Sequence, residues 1–241
     1  LQESEGDIEG AIKHLREAGA IKAAKKADRA AKEGVVAAHI DADGKHGILV
    51  EVNSETDFVA KNEIFQDFIS DLIDAVAASG AADLDAANAV SHGDGTIDDF
   101  VKAKVMELGE NLQFRRMTRF DVDGSGVVAS YIHLGGKVGV LLEVGCENDA
   151  STADDGFREV VKDLTLHIAA SAPAGLARED IPVDLVAAEK DPFRKQMENS
   201  RKPPENRDRI AEGKPGKLYP EACPAEQGML KGPVASTANP P

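Results

Sequence analysis

Apolar residues near the start of the chain fall at Ile8, Ala11, Ile12 and Leu15, the spacing of one face of a helix, with Asp7 placed to cap it and Gly19 to end it. A second, Ala-rich helix is predicted over 21–33, stopping at Gly34. From Val35 the period changes to two. Val36, Ala38 and Ile40 alternate, Asp41 to Gly44 carry turn chemistry, and 46–53 reads as a strand, so a β-hairpin is predicted. Ile64, Phe65, Phe68, Ile69, Leu72, Ile73 and Val76 then form one apolar stripe of a long helix. Residues 79–96, rich in Ala, Asp, Gly and Ser, read as a loop with a short helix. A helix over 98–108 and a strand over 112–120 come next. Beyond Ser171 the chain is punctuated by proline, with a short helix at 184–190. Helical stretches on either side of Lys202-Pro-Pro204 predict an arm over 188–226, and 227–241 has no periodicity.

The pattern repeats. Residues 44–57 match 136–149 at 8 of 14 positions, 92 residues apart, and the same offset carries Phe65–Ser79 onto Phe157–Ser171. A period of 92 is too long for a solenoid. It predicts an α+β chain with two related subdomains, each a small antiparallel sheet with helices packed on one face. The expected boundaries are a helical module at 1–33, core subdomains at 34–126 and 127–187, the arm at 188–226 and the tail. The two repeats share no residue over the seven positions between strand and helix, 58–64 against 150–156. A scaffold kept while one turn diverges suggests that the turn has a task in one repeat.

Charge and composition narrow the chemistry. A net charge of −15 argues against a duplex nucleic-acid binder, because phosphate neutralisation needs a basic surface. The absence of Trp leaves few platforms for stacking single-stranded bases. No run approaches the roughly 18 apolar residues of a membrane span, and the acidic, polar first residues lack the pattern of a secretory signal. Cys146 and Cys223 are too few for a disulfide scaffold. The chain starts at Leu1 and ends in a Gly/Pro/Ser/Thr-rich stretch, so a fragment is expected. Lys22, Lys25, Lys26, Arg29 and Lys32 make the second helix basic, which fits a solvated face or a docking helix for an acidic partner.

Motifs for covalent chemistry are missing. Gly135-Gly-Lys137 is followed by Val138 at a hairpin turn, so it is no phosphate loop. Asp121-Val-Asp-Gly-Ser-Gly126 has Ile132 where a calcium loop needs Glu. His167 sits on an apolar helix face, as a core histidine would, and Cys146 is expected buried in a strand. No metal or other cofactor, and no enzyme, is expected.

Glu55-Thr-Asp-Phe-Val-Ala-Lys-Asn62 is followed in order by Gly109-Glu-Asn-Leu-Gln-Phe-Arg-Arg116, Ser130-Tyr-Ile-His133 and His167-Ile-Ala-Ala-Ser171. With Gly6-Asp-Ile-Glu and Ala18-Gly-Ala-Ile-Lys-Ala-Ala-Lys-Lys26, these make the chain resemble the elongation factor Ts family over residues 6 to about 226. That family exchanges guanine nucleotide on the translational GTPase elongation factor Tu (EF-Tu). The chain departs from it in Ser54 where Cys is common, in Pro215 within the arm, and in lacking the family's first helix and last strand and helix.

The resemblance implies a ubiquitin-associated-like (UBA-like) helical module at 1–33 and dimerisation through the arm at 188–226. It implies that Thr56, Asp57, Phe58 and Val59 reach into the GTPase and disturb its magnesium site, and that His133 lies near its phosphate-binding loop. Read without the family, Asp57 would cap a helix, Phe58 would staple it, and His133 would be a surface histidine. The implied partners are GDP-bound and nucleotide-free EF-Tu, with no direct nucleic acid and no membrane. The implied place is the bacterial cytoplasm or an organelle matrix or stroma. The alternative is an EF-Tu-binding protein without exchange activity.

Overall fold

The computed structural model describes residues 7–188 together with Tyr219, residues 222–224 and Gln227. Expectations for the arm at 188–226 and the tail at 227–241 lie almost wholly outside those residues.

Strand β1 (Glu33–Ile40) and β2 (His46–Ser54) form the hairpin that the alternation predicts, and β2 pairs on its other side with β5 (Gln113–Asp121). The sheet order is β1-β2-β5, all antiparallel. As the central strand, β2 buries Ile48, Val50 and Val52. Between β2 and β5 run α2 (Asp57–Ala60), α3 (Glu63–Ser79), α4 (Leu84–Asn88), a two-residue hairpin β3–β4 (Ser91–His92, Gly95–Thr96) and α5 (Ile97–Leu108). Asn62 caps α3 with its side-chain oxygen on the Ile64 amide, and Gly80 ends it in the left-handed region. The stripe of α3 packs on the sheet and on α5. Phe65, Phe68 and Leu72 are completely buried there, each worth about 1.5–3 kcal/mol of hydrophobic stabilisation. Ile64 departs from the predicted stripe. It lies in the first helical turn and is 41% exposed.

The segment before the sheet is one helix, α1 (Ile8–Lys26), where the spacing predicts two. Gly19 does not end it. A mid-helix glycine costs about 1 kcal/mol, and here the α1 backbone continues past it against Met106 of α5. Helix α1 also belongs to the same compact unit as the first sheet. It lies along α5, Ala23 joins the main core, and Lys26 Nζ donates to the Gly109 carbonyl at the C-terminus of α5, 2.6 Å away.

The second repeat is built from β6 (Gly126–His133), β7 (Val138–Gly145), α6 (Asp149–Thr152) and α7 (Asp155–Ser171). Shifted by 92, α2 becomes α6 and α3 becomes α7 at identical bounds, and β2 and β7 begin at equivalent residues. Hairpin registers agree as well. Ile40 faces Gly47 in the first, and Ile132 faces Gly139 in the second.

The two hairpins pack on each other reciprocally. A Cβ on Gly47 would meet Val128 and Leu141, and one on Gly139 would meet Val36 and Leu49, the equivalent residues. The Val36 amide donates to Gly136 O and the Val128 amide to Gly44 O, both at 2.7 Å. Each hairpin therefore offers a glycine gap that receives the other's aliphatic side chains, as at a two-fold interface between subunits.

Contacts divide the chain into two compact units, 1–152 and 153–241. The boundaries expected at 33 and 126 fall inside the first, because α1 packs on α5 and the two hairpins pack together. In the second unit α7 buries Val161, Thr165 and His167, and His167 Nε2 lies 2.7 Å from Gln227 Oε1. Cys146 is not buried in a strand as expected. It comes directly after β7, partly exposed, with its thiol 3.3 Å from Asn148 O.

Candidate functional site

The chain leaves β2 through Ser54, whose hydroxyl donates to the Thr56 carbonyl at 3.0 Å. Thr56 is extended (φ −125°, ψ 156°), as an N-cap should be, and its Oγ1 accepts from the Val59 amide at 3.4 Å. The same hydroxyl donates to Glu110 Oε1 at 2.6 Å, while Glu110 Oε2 accepts the Thr56 amide at 3.0 Å. Next to this clamp, Glu55 Oε1 accepts the Asn111 amide at 2.6 Å, and the Asn111 side chain donates to the carbonyls of Ala27 and Arg29. Glu55 and Thr56 are thereby fixed to Glu110 and Asn111, just beyond the end of α5.

On that base α2 makes a single turn. Ala60 is buried and Val59 packs partly against the core. Asp57 points outward and pairs with Lys61 at 2.7 Å. Hydrogen bonding and charge from Lys61 hold the Asp57 carboxyl below the ordinary value, with a smaller contribution from Lys137. Asp57 in turn raises the Lys61 ammonium. Phe58 is 82% exposed. It is no hydrophobic staple, and Thr56 rather than Asp57 supplies the cap.

His133 is the last residue of β6 and is exposed. Its Nδ1 lies 2.9 Å from the Tyr131 hydroxyl and the two rings stack at 5.7 Å. The turn after it is anchored from behind. Gly136 sits against Val35, and Lys137 Nζ donates to Glu33 at 2.5 Å and to Gly34 O at 3.3 Å. Since α2 packs on β1 and the charge of Lys137 reaches Asp57, the turn after His133 shares an edge of the first unit with Thr56, Asp57, Phe58 and Val59.

Glu110 and Lys137 are parts of this edge that periodicity does not reveal. Glu110 bonds Thr56 across 54 residues of sequence, and Lys137 bonds Glu33 across 104. The only sequence signal for Glu110 is its place in Gly109-Glu-Asn111. Among the described residues no group of three His, Cys, Asp or Glu could hold a metal ion, and no helix is long and apolar enough to cross a membrane. Asp121, the first residue of the calcium-like run, is engaged instead by Arg119 and His46.

A family model described as "Elongation factor TS" matches residues 55–238. A protein described as elongation factor Ts from Trichlorobacter lovleyi is 42% identical over 234 residues, covering 96% of this chain and 75% of its own length. Those from Nautilia profundicola and Halothermothrix orenii are each 38% identical, again over 96% of this chain, and over 75% and 76% of their own lengths.

Proposed function

The chain belongs to the elongation factor Ts family, and from that premise we propose that it releases GDP from elongation factor Tu by binding the GTPase and disturbing its magnesium site. The reading assigns the chain no covalent chemistry. A factor that binds the nucleotide-free GTPase more tightly than the GDP form must weaken GDP by the same ratio, as linkage requires. Magnesium neutralises phosphate charge and keeps several of its waters, so moving the partner elements around it loosens the nucleotide. In this proposal Phe58 is the wedge, with Thr56, Asp57 and Val59 holding it, and His133 is a second contact on the phosphate-loop side. The partner is met in its GDP-bound and nucleotide-free forms, in the cytoplasm, and dimerisation through the arm belongs to the same proposal.

One observation carries this reading: an aromatic ring 82% exposed on a turn held rigidly by Glu110 and the core. A core Phe→Ala change costs about 3–5 kcal/mol, whereas a surface change costs about 0.5 kcal/mol or less. Catalytic amounts of the chain should accelerate release of a fluorescent GDP from EF-Tu. Phe58→Ala should slow that release at least tenfold at saturating factor while moving the urea midpoint little. Stoichiometric binding without release would favour an adaptor. A Phe58→Ala protein that unfolds far more easily yet exchanges normally would remove Phe58 from the site.

A further inference from the structure

The reciprocal packing gives the first unit two equivalent corners. At one, α2 and the turn of hairpin β6–β7 both pack on β1. At the other, α6 adjoins the turn of hairpin β1–β2, where Lys45, the equivalent of Lys137, bonds Asp149, the equivalent of Asp57, at 3.2 Å. The scaffold is the same and the exposed side chains are not. Phe58 corresponds to Ala150, His133 to Asp41 and Leu134 to Ala42. Of these three pairs, the two large apolar side chains, Phe58 and Leu134, both lie at the first corner.

Leu134 is unusual on two counts. Its backbone is left-handed (φ 50°), a conformation that glycine and asparagine adopt readily and leucine does not. Its side chain is 70% exposed, so no packing within the described residues offsets that cost. The hairpin does not require either feature. The first repeat spans the same register with only Gly44 left-handed in its turn. The turn is also fixed in advance, with the amides of Gly136 and Lys137 both donating to His133 O and the back of the turn docked on β1. Beside the two apolar groups, charge is already paired within the chain, Asp57 with Lys61 and Glu33 with Lys137. Preorganised apolar side chains with paired charges around them are the form of an interface anchor.

We propose that Leu134 is a second apolar anchor for the GTPase, docking beside Phe58 from the opposite repeat. This rests on the exchange reading above. The partner surface it fits is an apolar recess adjacent to the one that takes the Phe58 ring.

The test uses the full chain. Leu134→Asn removes the apolar group while suiting the left-handed backbone, so the thermal midpoint should hold or rise. Fluorescent GDP release from EF-Tu at subsaturating factor should fall at least tenfold, and Leu134→Gly should behave alike. Ala42→Leu, at the equivalent corner, should leave the rate within twofold. Release by Leu134→Asn within twofold of the unaltered chain would overturn the proposal. Should the unaltered chain release no GDP, the exchange reading fails, and binding to nucleotide-free EF-Tu then decides. A tenfold weaker complex for Leu134→Asn supports the anchor, and equal affinity, or no binding by either, overturns it.

Discussion

Asp57 shows how much of the site is set by single neighbours. Its side chain is partly exposed, and hydrogen bonding and charge from Lys61 one turn on hold its pKa down. A folded value below the unfolded one, about 3.9, means that the folded chain binds fewer protons between the two. Stability from this pair is therefore complete above about pH 4 and is lost as pH falls through the lower folded value. Lys61→Met should move the Asp57 titration upward, toward the unperturbed range, as followed by carboxyl carbon chemical shift. An unmoved titration would show that Lys137 or the backbone, not Lys61, sets it. Phe58 and His133 stand out in the sequence because a motif and a divergent turn mark them. The exposure of Phe58 does not, since the same residue would serve equally as a helix staple. Glu110 is hidden for a different reason. Its bonds to Thr56 cross 54 residues, and no local pattern records such a contact.

At the level of elements, local periodicity carries far. It places the first hairpin, α3 and α5 within a few residues, because each has one buried face and a recognisable cap or turn. It fails at α1, where a glycine reads as a stop although its penalty is smaller than the gain from continuing the helix against α5. It fails in detail at Ile64, since spacing alone does not say where the buried face begins relative to the cap. The strand junctions offer a sharper test. Gly34 has φ 130°, and a Cβ there would lie 2.2 Å from the Val52 carbonyl oxygen and 2.6 Å from Asn53 Cα. Both obstacles are backbone of the paired strand, so neither can turn aside. Gly34→Ala should cost on the order of 3 kcal/mol, read from urea unfolding. Gly126, its equivalent, meets Val144 O at 2.5 Å and should also be intolerant, so a neutral Gly126→Ala would break the parallel between the repeats.

For the whole molecule, the α+β class and the second hairpin with its helices are legible in the 92-residue repeat, whereas the division into units is not. Repeats in sequence mark copies of a fold, and compact units are set by which surfaces those copies bury. The main core draws on residues from Ala23 to Phe114, and the second hairpin closes against it before Thr152. A chain ending at Thr152 should accordingly fold by itself and unfold in one urea transition followed by circular dichroism. A collapsed, non-cooperative product would mean that the first unit depends on the residues after Thr152.

The reciprocal hairpins also bear on the order in which the chain is made. The ribosome delivers β1 and β2 first, and the surface around Gly47 then waits until Val128 and Leu141 have been synthesised. During that interval the nascent chain carries a sticky face whose natural complement resembles itself. Two growing chains on neighbouring ribosomes could pair through it and exchange hairpins, the characteristic failure of repeated architectures. On that account each departure from identity between the hairpins would make the correct, intramolecular match easier to tell from the wrong one.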